Sequence, residues 1–230
     1  MAPHDNTWRP MPARVDPEVE PLAVLRSLSG DWGVPAVPAQ AEALVRYAEL
    51  LIRWNQRINL TGAKSVGAVI AEHYPDAYAL ARRLDQPARL VDVGSGGGLP
   101  ALPLALLRPG LVISLCEPIA KKAAFLRTAI RELELNDRVV LETRRGEELA
   151  EELSESPAGP LTAMDLRRFD AAASRATFAP EAWLALGRRL VRPGGRVFVL
   201  TVPGTAIPGT TDIYGDGRRA LVEVSVEDPP

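Results

Sequence analysis

Val91-Asp92-Val93 ends an apolar run, and Gly94, Ser95, Gly96, Gly97 and Gly98 follow it within RLVDVGSGGGLPALPLALL, Arg89 to Leu107. Glycine reaches positive φ and has no side chain to hold a ligand away from the backbone. A glycine run between a buried strand and a helix therefore suits a nucleoside-bearing ligand laid against the main chain. The dinucleotide pattern G-x-G-x-x-G is met by Gly94 and Gly96 but fails at Leu99. Pyrophosphate needs free amides at a helix start, and Leu99-Pro100 supplies a poor one. Glu117 closes the next apolar run, in VISLCEP. It is either an acceptor for two ribose hydroxyls or a solvated acid at a strand end.

These residues require strands that end side by side. Short apolar runs near 89–93, 111–116, 138–142, 170–174, 196–201 and 220–226 read as strands. Helical patterns near 98–108, 119–134 and 179–191 alternate with them. Such alternation predicts an α/β fold with a doubly wound, mostly parallel sheet. Upstream, Leu44, Tyr47, Leu51, Trp54 and Ile58 share one helix face, and a second helical segment spans about 65–84 with an interruption at Pro75. Residues 39–86 are thus expected to form a helical N-terminal cap, and 87–230 the sheet domain. Residues 1–38 hold many prolines and read as a mobile tail, in which Leu22 to Leu28 form one short docked turn. Residues 153–168 read as an exposed inserted loop.

Composition sets outer limits. The chain has 230 residues, a formal net charge of −2 and no stretch near the roughly 18 apolar residues of a membrane span. Residues 1–20 lack a signal-peptide core, so a cytoplasmic protein is expected. Its one cysteine, Cys116, lies in an apolar run and reads as a core residue. The histidines are His4 and His73, so no metal-ligand cluster is expected. Nucleic acid, if bound, must meet a local basic patch: Lys121, Lys122 and Arg131 lie off the apolar face of their helix and either meet phosphates or are solvated.

The pattern D-x-G-x-G-x-G from Asp92 to Gly98 resembles the first motif of S-adenosylmethionine-dependent methyltransferases. The phrases WNQRINLTG, EHYPDAYAL, DVGSGGGLPALPLALLRPG, KKAAFLR and FDAAASRA, in this order, resemble the ribosomal small subunit methyltransferase G family. The resemblance spans roughly 40–200. It implies the Rossmann-like methyltransferase fold and methylation of guanine N7 in small-subunit ribosomal RNA, free or in an assembling subunit, with S-adenosylmethionine as cofactor. A monomer is expected. It further implies that Asp92, Gly94, Ser95, Gly96, Gly98, Leu99, Glu117, Gly146, Glu147 and Arg175 form the cofactor site. Arg175, in Ser-Arg-Ala, would face methyl transfer, with His73 and Asp76 near the substrate. Each has a plainer alternative: Arg175 pairing with a surface acid, and His73 pinning the cap. The chain departs from the family in Ala77, where serine is usual, and Thr201, where lysine is usual. Two other functions stay open: a small-molecule methyltransferase, and a non-catalytic binding relative.

Overall fold

The computed structural model describes residues 20–86, 88–155, 168–214 and 217–227. Three helices, α1 (Pro21–Trp32), α2 (Pro38–Asn55) and α3 (Val66–Arg83), precede β1 (Ala88–Val93). Then come α4 (Ala101–Leu107), β2 (Leu111–Cys116), α5 (Ala120–Glu132), β3 (Val139–Glu142), α6 (Gly146–Glu155) and β4 (Phe169–Arg175). The chain continues through α7 (Pro180–Leu190), β5 (Val191–Thr201), β6 (Thr210–Tyr214) and β7 (Arg219–Ser225).

The seven strands run in the order β3-β2-β1-β4-β5-β7-β6. β1 to β5 pair in parallel, whereas β7 is antiparallel to both its neighbours. Strand order reverses between β1 and β4, which is where ligands bind in open α/β sheets.

Strand parity decides what faces what. Side chains alternate between sheet faces with period two. Leu90 of β1, Ala171 and Ala173 of β4 and Phe198 of β5 join one core cluster with α1 to α5. Val91, Val93, Ala172 and Val197 join the other, with α6 and α7. Asp92 and Arg175 have the parity of the first set, so both aim toward the layer that holds α2 and α3.

The helices preceding β1 are therefore one layer of the main core. α4, Ala-Leu-Pro-Leu-Ala-Leu-Leu, is buried all round between that layer and the sheet, which suits a helix with no polar face.

The structure corrects the sequence expectations at four places. First, α1 is a 12-residue helix rather than one short turn in a tail, and Val24, Leu25 and Leu28 are buried. Proline does not oppose it: Pro21 occupies the first turn, where its missing amide costs nothing. Glu20 accepts from the amides of Leu22 and Ala23, and Gly33 closes the helix at φ 60. Residues 1–19 lie outside the described residues. Second, α3 runs through Pro75 without interruption; burial of Ile70, Tyr74 and Tyr78 on both sides outweighs one lost hydrogen bond. Third, α6 extends into the expected 153–168 loop as far as Glu155, and 156–167 lie outside the described residues. Fourth, β6 was not expected, because only Tyr214 of its five residues is buried and it carries no apolar alternation.

Candidate active site

The glycine loop is anchored to the end of β2. The amides of Gly94 and Ser95 both donate to the Cys116 carbonyl, at 2.9 and 3.1 Å. The Cys116 thiol itself is buried in the second core, and burial pushes its pKa up to about 12, consistent with a packing role. Ser95 is buried, and its hydroxyl donates to the Asp92 carbonyl at 2.9 Å, folding the loop back on the strand. On the far side Tyr47 of α2 donates to the Gly97 carbonyl at 2.5 Å.

The loop glycines have different tasks. Gly94, at φ 77, lies where a Cβ would come within 2.3 Å of the Thr177 hydroxyl oxygen. At Gly96, φ 57, an added Cβ would meet only the Gly94 carbonyl oxygen, at 3.8 Å. Gly98, at φ 78, is buried against Leu102 and Leu126 and serves close helix packing. Leu99 is also buried, within the first core cluster. Only the Gly94 and Gly96 stretch presents partly open backbone.

Glu117 is 3% exposed and uses both oxygens. Oε2 accepts from the Gly96 amide and Oε1 from the Ile119 amide, each at 2.8 Å. It therefore braces the loop, and each carboxylate oxygen retains a lone pair for a further donor. Asp92 is 2% exposed, and among the described residues its Oδ2 has no hydrogen-bond partner. Burial, opposed by Ser95 and Arg175 and reinforced by Glu117, raises its pKa to about 7.

A second cluster stands on the α3 side. Arg175 Nη1 donates to Asp76 Oδ2 at 2.9 Å and to His73 Nδ1 at 3.2 Å. Because arginine only donates, Nδ1 is the acceptor and the imidazole proton sits on Nε2, which donates to Thr61 Oγ1 at 2.7 Å. The loop bearing Thr61 is pinned by Asn55, whose amide donates to the Thr61 carbonyl and accepts from the amides of Leu60 and Thr61. Asp76 Oδ1 accepts from the Tyr214 hydroxyl at 2.8 Å and from Arg219 Nη1 at 3.0 Å. The β6–β7 hairpin thus fixes the carboxylate that fixes Arg175. Next to Arg175 in β4, Ser174 donates from its hydroxyl to the Val93 carbonyl at 2.9 Å, which sets Arg175 beside the start of the glycine loop.

Burial, and next Arg175, lower the His73 pKa from 6.5 to about 4. The folded ring stays neutral while the unfolded ring takes up a proton below 6.5. On this account stability is complete above pH 6.5 and falls as pH drops toward 4, by about 3 kcal/mol. Urea unfolding between pH 7 and 5 should show the decline, and a His73→Asn variant should show a flatter profile.

Beside Arg175 the backbone is strained: Ala176 lies at φ 54, which costs a residue with a Cβ about 1–2 kcal/mol. A cleft lined by Ser174, Ala176, Phe178, Thr201 and Val202 opens there. Thr201 bonds to the Thr205 hydroxyl at 3.0 Å, and Ala77 is fully buried.

The structure therefore brings Asp92, Gly94, Gly96 and Glu117 together, and gathers Arg175, His73 and Asp76 next to them. It places Ser95, Gly98 and the Leu99 side chain in the packing beneath the loop. Gly146 starts α6 against Val93, whose Cγ1 would lie 2.5 Å from an added Cβ, and Glu147 follows half-exposed. Sequence reasoning missed Asn55, Thr61, Tyr214 and Arg219. The first two lie in WNQRINLTG, where residue type alone assigns them no role; nothing near the last two marks them. Among the described residues no group of three His, Cys, Asp or Glu could hold a metal ion, and no helix is long and apolar enough to cross a membrane.

The strand order, the glycine loop at the switch point and the acidic residue closing β2 define a methyltransferase of the Rossmann-like class. Solved structures agree on the fold: an O-methyltransferase from Bacillus cereus in complex with SAH has a TM-score of 0.56 at 17% identity, covering 79% of this chain and 91% of that one. A putative O-methyltransferase from Klebsiella pneumoniae has a TM-score of 0.56 at 18% identity, covering 90% and 97%. Residues 40–203 match the family model of rRNA small subunit methyltransferase G, and the chain belongs to that family. A relative of that name from Anaeromyxobacter sp. (strain Fw109-5) is 36% identical over 192 residues, 84% of this chain and 83% of its own. Another from Xanthomonas oryzae is 37% identical over 162 residues, 70% and 69%.

Proposed function

We propose that this methyltransferase acts on guanine N7 of small-subunit ribosomal RNA, free or in the assembling subunit, with S-adenosylmethionine as cofactor. The observation that carries it is the convergence of Arg175, held by His73 and Asp76, on the glycine loop of a chain that matches the family over 40–203.

The residues present fit the cofactor. Asp92 offers an unpartnered buried carboxylate oxygen, and Glu117 stands electrostatically coupled to it. Two acids beside partly open loop backbone favour a cationic ligand and oppose pyrophosphate. S-adenosylmethionine supplies an electrophilic methyl group on a sulfonium. Asp92 would face its positive charge, Gly94 and Gly96 would admit its body, and Glu117 would reach its ribose. Gly146 and Glu147 would flank its adenine. Gly98 and Ser95 would hold the loop in shape, with Leu99 beneath it.

Guanine N7 carries an in-plane lone pair and no proton. No general base is needed, only alignment and exclusion of water. Arg175 would hold the base edge by hydrogen bonds from the nitrogens that His73 and Asp76 leave free. The cleft between Phe178 and Thr201 would seat the ring.

Incubation with methyl-labelled S-adenosylmethionine and small ribosomal subunits from cells lacking the family's enzyme tests this, with chemical cleavage mapping N7-methylguanine. Label at one guanine is expected. Cofactor binding without label would move the function to another substrate or to a non-catalytic role.

Proton release is a second expectation. A cation beside Asp92 draws its pKa down from about 7, so at pH 7 binding should release roughly half a proton. Affinity should accordingly rise as pH increases through 7. Calorimetry in buffers of different ionisation enthalpy reads the release directly, and Asp92→Asn should abolish it.

A further inference from the structure

Two long segments of this net-negative chain contain no acidic residue. Residues 50–71 carry Arg53, Arg57 and Lys64; residues 118–131 carry Lys121, Lys122, Arg127 and Arg131. The structure makes them neighbours. The Trp54 ring at the end of α2 packs edge-on against Phe125 of α5, centroids 5.7 Å apart. Lys121 and Lys122 lie one turn before Phe125, while Arg53 and Arg57 flank Trp54. The loop leading to Lys64 passes over the glycine run, with the Leu60 carbonyl oxygen 3.4 Å from where a Gly97 Cβ would stand. All these cations are exposed except Lys122, which is half-buried. None has an ion pair among the described residues, whereas Arg83, Arg144, Arg175, Arg192 and Arg219 are all paired.

The other side of the sheet is mixed: α7 carries the exposed Arg188 and Arg189, whereas α6 beside it is acidic. α6 packs into the second core cluster and carries Glu147, Glu148, Glu151 and Glu152. The sheet therefore separates a free basic edge from an acidic helix.

We propose that the α2–α5 edge is the docking surface for an RNA phosphate backbone, and that α6 faces away from the RNA. The inference rests on the proposed RNA substrate and adds the surface and orientation by which it is held. Several unpaired cations beside the site opening supply attraction to phosphates that carries no sequence information but fixes where the strand lies.

The test uses the full chain with S-adenosylmethionine present and small-subunit ribosomal RNA as probe. Lys121→Glu/Lys122→Glu and Arg53→Glu/Arg57→Glu are compared with Glu148→Lys/Glu151→Lys on α6. Each basic-edge pair should weaken RNA binding at least tenfold and reduce its dependence on salt by about one to two phosphate contacts. Cofactor affinity and thermal midpoint should not change. The α6 pair should alter RNA affinity less than twofold. RNA affinity and salt slope unmoved by the basic-edge pairs would overturn the proposal, as would an α6 effect of equal size. Methylation of small subunits by the wild type separates the two readings. Methylation that survives both basic-edge pairs removes the docking surface and leaves the function. Absent methylation, with RNA binding still lost in the pairs, removes the function and leaves the surface.

Discussion

Replacing Gly94 by alanine is expected to lower affinity for S-adenosylmethionine about a hundredfold. The residue lies at φ 77, a conformation that costs alanine about 1–2 kcal/mol relative to glycine. The added Cβ would also stand 2.3 Å from Thr177 Oγ1 and 2.6 Å from its Cγ2. Thr177 is exposed and can swing, but its hydroxyl donates to the Arg175 carbonyl, so relief of the clash disturbs the strained turn after Arg175. The alternative is a shift of the Gly94 backbone, which loosens its bond to Cys116 and moves the open face of the loop. Together these effects amount to about 3 kcal/mol, or a hundredfold in binding. Equilibrium binding of the cofactor measures it. Gly30→Ala is the control: that glycine is helical, with nothing within 4 Å of an added Cβ, and the change should leave affinity intact.

Asp76→Asn should cost both catalysis and stability. Its carboxylate is 4% exposed and accepts from Arg175, Arg219 and Tyr214 at once. An asparagine of the same shape has no charge to set between two guanidinium groups, and one of its two heads is a donor facing donors. Losing one partner of a buried ion pair costs about 3–5 kcal/mol. The two arginine side chains are 27% and 32% exposed and keep some water, which places the expected loss nearer 2–3 kcal/mol. With Arg175 no longer fixed, kcat for methyl transfer should fall about a hundredfold, while cofactor affinity changes little. Denaturant unfolding, cofactor binding and single-turnover methylation separate these effects. Tyr214→Phe removes one donor and should cost about 1 kcal/mol. A kcat equal to wild type in Asp76→Asn would show that Asp76 serves stability alone.

Much of this was legible in the chain. The glycine loop after Val93, the acidic residue closing β2 and the alternation of apolar runs with helical patterns are local signals. Local signals survive folding because the backbone needs them wherever the segment lies. α1 was harder to see because proline density suggests irregular chain, and only the docking of Val24, Leu25 and Leu28 shows what the helix is for. Pro75 looked like a break because its cost is local, whereas the burial that outweighs it is not.

By itself the sequence determined the parallel sheet, the loop at its switch point and the family phrases, since each depends on residues close together in the chain. The family phrases implied that His73 and Asp76 lie near Arg175, but tertiary structure alone decided the rest of its company. Thr61, Tyr214 and Arg219 come from the loop before α3 and the closing hairpin, and nothing in their spacing announces the meeting. It also decided that Glu117 braces Gly96, that Leu99 and Gly98 pack beneath the loop, and that two acid-free segments share one edge. Those are facts about which surfaces the sheet and its helices bring together, and burial and packing across the whole chain set them.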